Sequence, residues 1–420
     1  MKNELDILII GGGLAGLSAA VNLKQQGLNV LLLEETDRLG GRVKTTEING
    51  LKIELGAEWI GRRHNRMQDL CNQYRLTLLA HEVNPCLRLG EPHNTKDILT
   101  DLYDKRPQLL SKFASWLKQQ GEYSKEATLR ECLYNCGLDE QQIIVEKMMA
   151  KFIYGEDVSR LKAADVYQDI KEGVVEKEDS FWIEGGNQLL VKNLAQILGE
   201  DNFLLNSKVT AIRQGRWVEI ITTNQSFKAE KIVVALPPQT ILGINWLPNL
   251  PSELIDTIRK IKSVHVAKVV SIFPERFWGD DNFGMFQPQP GAPELIYHST
   301  LGQDGRKGAL TAFAVGKNAV DICRLDEEER KRVIYTQLSK LFGRKVPHII
   351  HSEVANWESA YSVYTKSSFD QTKRSLHKPW INAYFAGEYI PQFFSEQGYM
   401  EGAISSGQEA ANLVANSGCF

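Results

Sequence analysis

Apolar and polar positions near the start of the chain predict a strand, a turn and a helix. An apolar run from Leu5 to Ile10 predicts the strand, and apolar residues recur at helical spacing from Leu17 to Lys24. A further apolar run from Asn29 to Leu33 predicts the next strand. A strand, a helix and a second strand in this order are typical of an α/β fold with a parallel sheet.

The periodicity changes in the middle of the chain. From about 97 to 169 strands are scarce and one helical stripe contains Leu109, Leu110, Phe113, Trp116 and Leu117. Short β-runs follow between about 203 and 238, and a longer one extends from Val264 to Phe273. Because 420 residues are too many for one ordinary core, we expect two domains.

The first turn has glycines at the spacing of a dinucleotide-binding fingerprint. Its residues are Gly11, Gly13, Leu14, Ala15 and Gly16. Without side chains, the turn lets a pyrophosphate approach the helix N-terminus, where free N–H groups favour negative charge. Glu34, followed by Glu35, ends the second strand, where an acid accepts hydrogen bonds from an adenosine ribose. The alternative is a glycine turn that serves only helix packing.

Two arginines bracket a second glycine pair shortly after this acid. The segment contains Arg38, Gly40, Gly41 and Arg42. Its glycines let the chain bend, and the two guanidinium groups are suited to binding phosphate. Taken alone, the segment is equally consistent with a surface loop that carries two solvated arginines.

The end of the chain carries a third motif. Gly387 and Glu388 follow a predicted strand, and the helix that starts at about Tyr399 contains Met400, Gly402, Ala403, Ser406, Gly407 and Ala410. Small side chains allow the backbone to approach a ligand closely, and they equally allow a helix to pack closely on a sheet. Together, the three motifs resemble those of the flavin-containing amine oxidase family, which includes monoamine and polyamine oxidases.

The resemblance implies a fold and a cofactor. The fold would be a Rossmann-like FAD-binding domain of the α/β class, interleaved with an α+β substrate-binding domain. Residues 1–79, 183–245 and 354–420 would form the FAD-binding domain, and residues 80–182 and 246–353 the substrate-binding domain. Beyond the three motifs, with Val209 beside the adenine, the implied cofactor residues are Gly56, Ala57, Glu58, Trp59, Val209 and Trp357.

One lysine stands out in the predicted strand from Val264 to Phe273. Strand alternation puts Lys268 on one face with four β-branched apolar residues, and lysine is rarely buried without a partner. The alternative is an edge strand from which the lysine reaches water. The resemblance favours a catalytic role, in which Lys268 holds a water against flavin N5 and assists reoxidation of the flavin by O2.

The resemblance also implies an aromatic slot for the substrate amine. Tyr399 matches one ring of the slot, and Tyr364 matches the second when a small gap is allowed. Two facing rings orient an amine nitrogen toward the flavin. With the same gap, Val363 occupies the position at which monoamine oxidases attach the flavin through cysteine, so we expect FAD to be bound non-covalently.

The implied reaction is amine oxidation by O2. A neutral amine passes a hydride from its α-carbon to flavin N5, the imine hydrolyses to an aldehyde or ketone, and O2 becomes H2O2. Amino-acid oxidases place a carboxylate-binding arginine where this chain has Glu58, and polyamine oxidases often carry an acid near Arg62 and Arg63. These departures favour a monoamine or a secondary amine, although Glu82 or Glu91 could serve a polyamine.

Charge and cysteine content limit the other partners. A net charge of −3 gives no reason to expect nucleic acid or a charged membrane surface. Of six cysteines only Cys132 and Cys136 are close in sequence, which predicts reduced thiols and no metal site. With no bilayer-spanning run and no C-terminal anchor of the kind that mitochondrial monoamine oxidases carry, we expect a soluble cytoplasmic enzyme. The sequence leaves open whether the protein forms a homodimer.

Other functions remain open from the sequence alone. A carotenoid-type desaturase or a porphyrinogen oxidase would share the end motifs without needing Lys268 or an aromatic slot, and an L-amino-acid oxidase would use the same scaffold. A non-catalytic flavoprotein would keep FAD as a structural core. Phe277 and Trp278, which follow Lys268 as in amine oxidases, favour the amine oxidase. The fold alone does not separate these activities.

Overall fold

The chain folds around two large β-sheets. A computed structural model describes residues 5–80, 84–85, 105–121, 126–171, 180–279, 283–286, 293–364 and 366–418. Within these residues the fold is of the α/β class, with helices packed on a largely parallel sheet and a second, mainly antiparallel sheet beside it.

The first sheet has eight strands and a parallel centre. Across the sheet the strands lie in the order Asn245–Leu247, Val209–Gln214, Val218–Thr222, Ser226–Val234, Leu5–Ile10, Val30–Leu33 and Phe203–Leu204, and Ala383–Phe385 also pairs with Ser226–Val234. Ile10 lies between Val234 on one side and Leu33 on the other. Both faces of a parallel sheet are covered, which explains the continuous apolar run that predicted the first strand.

Two helices from opposite ends of the chain pack together on this sheet. Leu14–Gln25 contacts Met400–Asn416. Gly407 permits the close approach, because a Cβ at this position would lie 2.2 Å from the carbonyl oxygen of Ala15. The Ser18 hydroxyl also donates to the carbonyl of Ile404 at 3.2 Å. The small residues near the end of the chain therefore serve helix packing as well as the adjoining cavity.

The second sheet contains the strand of Lys268. Its strands lie in the order His351–Val363, Lys262–Phe273, Gly308–Val315, Leu295–His298, Phe283–Phe286 and Asn84–Pro85. Lys268 lies opposite Phe313 on one neighbouring strand and Ala355 on the other. Because the strand has partners on both sides, the edge-strand alternative for Lys268 does not apply.

Helices dominate the described part of the middle region, as the periodicity predicted. The helical segment, which we define as residues 105–121 and 126–171, contains Arg106–Gln119, Leu129–Asn135, Glu140–Tyr154 and Ala163–Lys171. Capping boxes at Thr128 and Asp139 start the second and third of these helices. Arg106 is buried and donates from Nε and Nη2 to the two carboxylate oxygens of Glu146 at 3.0 and 3.1 Å. Residues 97–104 of the predicted helical region lie outside the described residues.

Smaller elements complete the described chain. Thr45–Ile48 and Leu51–Glu54 form a hairpin, and Ser180–Ile183 pairs with both Ile60–Gly61 and Leu78–Ala80. The remaining helices are Asn65–Gln73, Gln188–Leu198, Pro238–Leu242, Ser252–Lys260, Lys317–Arg324, Glu327–Phe342 and Lys366–Leu376, with 3-10 turns at Glu200–Asn202 and Phe394–Glu396. Over the residues that the structure describes, no helix is both long enough and apolar enough to cross a membrane.

One predicted domain boundary falls inside a strand. The sequence predicted that residues from 354 onward return to the FAD-binding domain, whereas His351–Val363 pairs with Lys262–Phe273 in the second sheet. The chain rejoins the first sheet at Ala383–Phe385. The strand His351–Val363 therefore belongs by its hydrogen bonds to the second sheet, although its last residues reach the site described below.

Candidate active site

The glycine-rich turn presents the N-terminus of the first helix. Gly16 packs against the turn so closely that a Cβ there would lie 1.9 Å from the carbonyl oxygen of Gly11. The helix Leu14–Gln25 starts after Gly13 with no side-chain cap and no acidic residue in its first turn. Its first N–H groups and its dipole are therefore directed at whatever occupies the adjoining cavity, and both favour an anion.

Glu34 ends the second strand beside this turn. Its Oε2 accepts a hydrogen bond from the N–H of Gly12 at 2.7 Å. Its Oε1 accepts from the N–H and the hydroxyl of Thr36 at 3.0 and 2.8 Å. These bonds fix the buried carboxylate at the position where the fingerprint predicts an acceptor for ribose hydroxyls.

The two arginines of the second glycine pair are engaged differently. Arg38 donates to the carbonyl of Val43 at 2.9 Å and to that of Gly41, so its guanidinium group closes the turn on itself. Burial lowers the pKa of Arg38 below its ordinary value. Arg42 donates to the carboxylate of Glu388 at 2.7 Å. The sequence predicted that both guanidinium groups are suited to phosphate, and the structure adds that Arg38 closes its turn while Arg42 is ion-paired.

Glu388 connects three separate segments. Besides Arg42, it accepts from the hydroxyl of Ser362 at 2.9 Å and from the N–H of Gly398 at 3.2 Å. The preceding Gly387 donates its N–H to the hydroxyl of Ser406 at 2.9 Å. These bonds tie the second glycine pair, the end of a second-sheet strand and the last helix into one wall.

A cavity of about 540 Å³ lies between these elements. The predicted cofactor residues that line it are Gly11, Gly13, Leu14, Ala15, Glu34, Glu35, Arg38, Gly40, Gly41, Arg42, Ala57, Val209, Trp357, Gly387, Glu388, Tyr399, Met400 and Ala403. Gly16 supports the turn from behind. Gly56, Glu58 and Trp59 line a second cavity instead. The structure thus brings the three distant motifs to one cavity.

The first cavity fits a flavin dinucleotide. The uncapped helix N-terminus and the guanidinium groups suit a pyrophosphate, and Glu34 suits a ribose. Apolar residues that the sequence did not single out, including Leu236, Pro237 and Ile244, line the wall near Val209 and suit an adenine ring. No group of three His, Cys, Asp or Glu residues within the described ranges is arranged to hold a metal ion.

A second cavity, of about 190 Å³, adjoins the first. The residues that line both cavities are Arg42, Ala57, Trp357, Ala360, Gly398, Tyr399 and Met400. The rest of its wall is mostly apolar or aromatic and includes Trp59, Phe152, Ile153, Tyr154, Val266, Phe313, Tyr361 and Val363. A small molecule in the second cavity would therefore contact the cofactor in the first.

Lys268 lines the second cavity and is almost fully buried, with 3% of its surface exposed. Its Nζ donates to Glu58 Oε2 at 2.7 Å, to the carbonyl of Gly56 at 2.7 Å and to that of Glu54 at 3.1 Å. A lysine ammonium has three N–H donors, and these three bonds engage all of them. To hold a water as the resemblance implies, Lys268 would have to exchange one of these bonds.

Two further polar groups surround the ion pair of Lys268. Tyr297, which is fully buried, donates its hydroxyl to the same Glu58 Oε2 at 2.5 Å. The carboxyl of Glu54 is also buried, and burial raises its pKa to about 7. The ring of Trp59 lies 5.6 Å from Lys268 Nζ. Lys268, Glu58, Glu54 and Tyr297 therefore form a compact charged cluster beside a cavity whose wall is mostly apolar.

One of the two predicted slot rings lies away from the cavity. Tyr399, which the resemblance implied as the first ring, lines both cavities. Tyr364 lines neither, because it follows the last residue of the strand His351–Val363 and turns into a separate core, where it stacks on Phe369 at 5.8 Å. Tyr361 lines the cavity in its place, with its hydroxyl donating to a backbone carbonyl at 2.8 Å.

A histidine that the sequence did not single out supports Tyr399. The rings of His64 and Tyr399 lie 4.9 Å apart. His64 Nδ1 accepts from the N–H of Gly61 at 2.9 Å, and burial lowers the pKa of His64 to about 4. The imidazole is therefore neutral at physiological pH, and it supports the tyrosine ring without adding charge.

Comparison with known proteins now identifies the family. The family described as flavin containing amine oxidoreductase matches residues 14–415, which is nearly the whole chain. The chain belongs to this family. This flavin-containing amine oxidoreductase is accordingly an enzyme that acts on amine donors with a flavin cofactor.

Similar proteins span almost the full length of this family member. A probable flavin-containing monoamine oxidase A from Dictyostelium discoideum is 26% identical, over 97% of this chain and 96% of its own length. The flavin-containing amine oxidase B of Homo sapiens is 25% identical, over 99% of this chain and 86% of its own length.

Solved structures share the fold of this amine oxidoreductase. Putrescine oxidase bound to putrescine superposes with a TM-score of 0.81 at 20% identity, covering 98% of this chain and 99% of that chain. Cyclohexylamine oxidase from Brevibacterium oxydans IH-35A superposes with a TM-score of 0.82 at 21% identity, with coverage of 98% and 99%. At these identities the likeness concerns the fold.

Sequence reasoning missed most of the second cavity. Phe152, Ile153 and Tyr154 end a helix of the helical segment, and a helical stripe in a sequence does not distinguish a core face from a cavity wall. Gln397 also lines this cavity and directly precedes the Gly398–Tyr399 pair. Its position next to a recognised motif was a usable signal.

Proposed function

We propose that this protein is an amine oxidase that binds FAD non-covalently in the first cavity and a monoamine or secondary amine in the second. The main support for this proposal is that the two cavities share a wall containing Tyr399, Trp357 and Ala57. A substrate amine enclosed there lies against the flavin. Val363 lines the second cavity and has no nucleophilic atom with which to attach a flavin.

The protein contributes binding, orientation and the exclusion of water. When bound, FAD would supply the two-electron oxidant for the amine α-carbon, and its reoxidation by O2 would yield H2O2. Tyr399 and Tyr361, which takes the second slot position in place of Tyr364, orient the nitrogen with their electron-rich faces. Water then hydrolyses the released imine to an aldehyde or ketone.

The charge of the second cavity supports a substrate with one amino group. Among the described lining residues, Glu58 is the carboxylate, and it is paired with Lys268 at 2.7 Å. A second ammonium group would therefore meet aromatic and aliphatic side chains without a free acid, at a high desolvation cost. Glu82 and Glu91, the alternative acids for a polyamine, lie outside the described residues. Of the two structural relatives, cyclohexylamine oxidase has the name closer to the substrate class proposed here.

Anaerobic titration of the purified flavoprotein tests this assignment. We expect benzylamine, cyclohexylamine and N-methylated amines to bleach the flavin band, and air to restore it with formation of H2O2. Putrescine and L-amino acids are expected to bleach it poorly, because the cavity lacks a second free charge to bind them. Acid precipitation of the protein should release the flavin into the supernatant.

The titration also separates the alternatives. Bleaching by putrescine in preference to the apolar monoamines would overturn the substrate class, and bleaching by amino acids alone would indicate an amino-acid oxidase. A flavin band that responds to none of these compounds would contradict the oxidase assignment. Flavin that stays with the acid precipitate would contradict non-covalent binding.

A glutamine in the second cavity gives a sharper prediction about amine binding. Gln397 is buried, its Nε2 donates to the carbonyl of Tyr364 at 3.3 Å, and its Oε1 has no hydrogen-bond partner. This oxygen is buried in the cavity wall, where a rotation of the side chain would let it accept an N–H of the amine. We expect Gln397→Leu to raise KM by about tenfold, the value of one hydrogen bond, with little change in the flavin spectrum.

Steady-state kinetics with a single amine at saturating O2 measure this effect. Tyr364→Phe is the matched control, because Tyr364 lies outside both cavities and its hydroxyl has no partner. An unchanged KM in Gln397→Leu, or an equal change in Tyr364→Phe, would remove Gln397 from the binding site.

A further inference from the structure

The ion pair of Lys268 and Glu58 is almost completely buried, although it lies in the wall of a cavity. The Lys268 side chain is 3% exposed and the Glu58 side chain 0%. Taking two opposite charges out of water is costly unless their geometry is good and other hydrogen bonds complete it. Here the pair is short and well supported, so each charge depends on the other.

Tyr297 completes the support of Glu58 from the second sheet. Its hydroxyl donates to the same carboxylate oxygen that Lys268 contacts. The ring of Tyr297 packs on Trp59 at a centroid distance of 5.3 Å. Burial, together with the charge of Glu58, raises the pKa of Tyr297 well above its ordinary value, so the phenol stays protonated and remains a donor.

The other groups that face Lys268 leave Glu58 as its main counter-ion. From the hairpin strand, Glu54 presents its backbone carbonyl to Nζ, while its carboxyl accepts from the N–H of Asn187 at 2.6 Å. That carboxyl also interacts electrostatically with Lys268, but burial raises its pKa to about 7, so it is a weaker counter-ion than a fully ionised carboxylate. The carbonyl of Gly56 is a neutral acceptor. Trp59 offers a ring face at 5.6 Å. A lysine needs a full negative charge to stay an ammonium in such a place, and the carboxylate within 2.7 Å is that of Glu58.

We propose that Glu58 is the positioning residue that keeps Lys268 charged and fixed in the wall of the second cavity, with Tyr297 holding Glu58. Lys268 then acts as a permanent cation beside the flavin site rather than as a neutral amine. The proposal rests on the proposed function only in requiring a bound flavin. It adds a residue and a charge state to the site, and both are testable without a substrate.

The charge of Lys268 has a consequence for the reduced cofactor. A fixed cation in a cavity that excludes water stabilises negative charge that develops nearby. Removal of Glu58 leaves the buried Lys268 ammonium without its main counter-ion, which disfavours its charged form. Glu58→Gln is therefore expected to behave like a loss of the Lys268 charge, although the lysine itself is still present.

A double-mutant cycle tests the proposal. Wild type, Glu58→Gln, Lys268→Met and the double variant are loaded with FAD, reduced with dithionite and mixed with O2 in a stopped-flow instrument. We expect Glu58→Gln to slow reoxidation by about tenfold or more and to lower the reduction potential of the flavin. We expect little further change when Glu58→Gln is added to Lys268→Met, because Glu58 acts through the lysine.

The reduction potential gives a readout that a purely structural role would not move. It should fall in Glu58→Gln and in Lys268→Met alike, because both variants remove the fixed cation beside the flavin site. Tyr297→Phe keeps the carboxylate and should give a smaller effect of the same sign.

Glu294→Gln is the matched control. Glu294 is a buried acid that pairs with the partly exposed Lys151 of the helical segment, and it lines neither cavity. Its loss should lower stability without changing the potential or the reoxidation rate by more than about twofold. The same comparison shows whether any effect of Glu58→Gln comes merely from removing a buried acid.

Two results would overturn the proposal. One is a Glu58→Gln enzyme with the reoxidation rate and reduction potential of the wild type. The other is additive effects in the cycle, which would mean that Glu58 acts independently of Lys268. Because dithionite replaces the amine, these results are distinct from a failure of the proposed function, which would appear as a wild-type flavin that no amine bleaches.

Discussion

The Gly16→Ala variant should be purified without flavin and with reduced stability. Alanine is a better helix former than glycine by about 1 kcal/mol, so in an open helix the change would be favourable. Here the new Cβ would lie 1.9 Å from the carbonyl oxygen of Gly11, a backbone atom of the turn that faces the pyrophosphate position. Relief requires the helix and the turn to separate, at a cost of about 1–3 kcal/mol or more.

The ratio of flavin to protein absorbance and the thermal unfolding midpoint measure this effect together. Gly215→Ala is the control, because a Cβ there would lie 3.7 Å from the carbonyl oxygen of Trp217, an ordinary contact, at a position without a positive φ. A Gly16→Ala protein that retains stoichiometric FAD would show that the turn and helix can separate without losing the site.

Replacing Glu54 by glutamine should change how stability depends on pH. Burial raises the pKa of Glu54 to about 7 from an ordinary value of 4.5, against hydrogen bonds from Asn187 and Thr45. Because the folded state holds this proton more tightly than the unfolded state, its contribution is present at low pH and is lost as the pH rises through about 7. The wild type should therefore lose roughly 2–3 kcal/mol relative to Glu54→Gln between about pH 5 and pH 8.

Thermal or denaturant unfolding of both proteins across this pH range measures the difference in their free energies of unfolding. The titration of all other groups is common to both proteins and cancels in this difference. Glutamine keeps an acceptor for Asn187 and Thr45, and the other oxygen of Glu54 has no partner to lose. Glu47→Gln, an exposed acid of the same hairpin, is the control. A difference between wild type and Glu54→Gln that stays constant with pH would contradict a buried carboxyl that titrates near neutrality.

The parts of the site that local chemistry determines were predictable from the sequence. The glycine turn, Glu34 and the Gly387–Glu388 pair line one cavity because a strand, a tight turn and a helix leave few arrangements for a phosphate-binding turn. Strand alternation likewise singled out Lys268, and its burial follows from a strand with neighbours on both sides.

Features set by contacts between distant segments were not predictable in the same way. The pairing of Lys268 with Glu58 joins residues from different segments, and nothing in either local pattern indicates the other. Arg38 closes its own turn because backbone carbonyls lie within its reach, which residue type alone does not reveal. The prediction that Tyr364 forms the second slot ring depended on a small gap in the match to the family. That gap falls at the end of the strand His351–Val363, where a shift of one residue decides which way a side chain points.

Two kinds of element form the second cavity, and they differ in how freely their side chains can change. Lys268, Trp357 and Phe313 stand on hydrogen-bonded neighbouring strands, where a change at one position disturbs the others. Phe152, Ile153 and Tyr154 instead end a single helix, beside the left-handed Gly155. Phe152 packs on Trp59, and Tyr154 donates its hydroxyl to Asp169 at 2.8 Å, so these two residues are tied to the rest of the protein. We therefore expect Ile153 to be the position at which a substitution changes the shape of the second cavity with least disturbance of Lys268 and its neighbours.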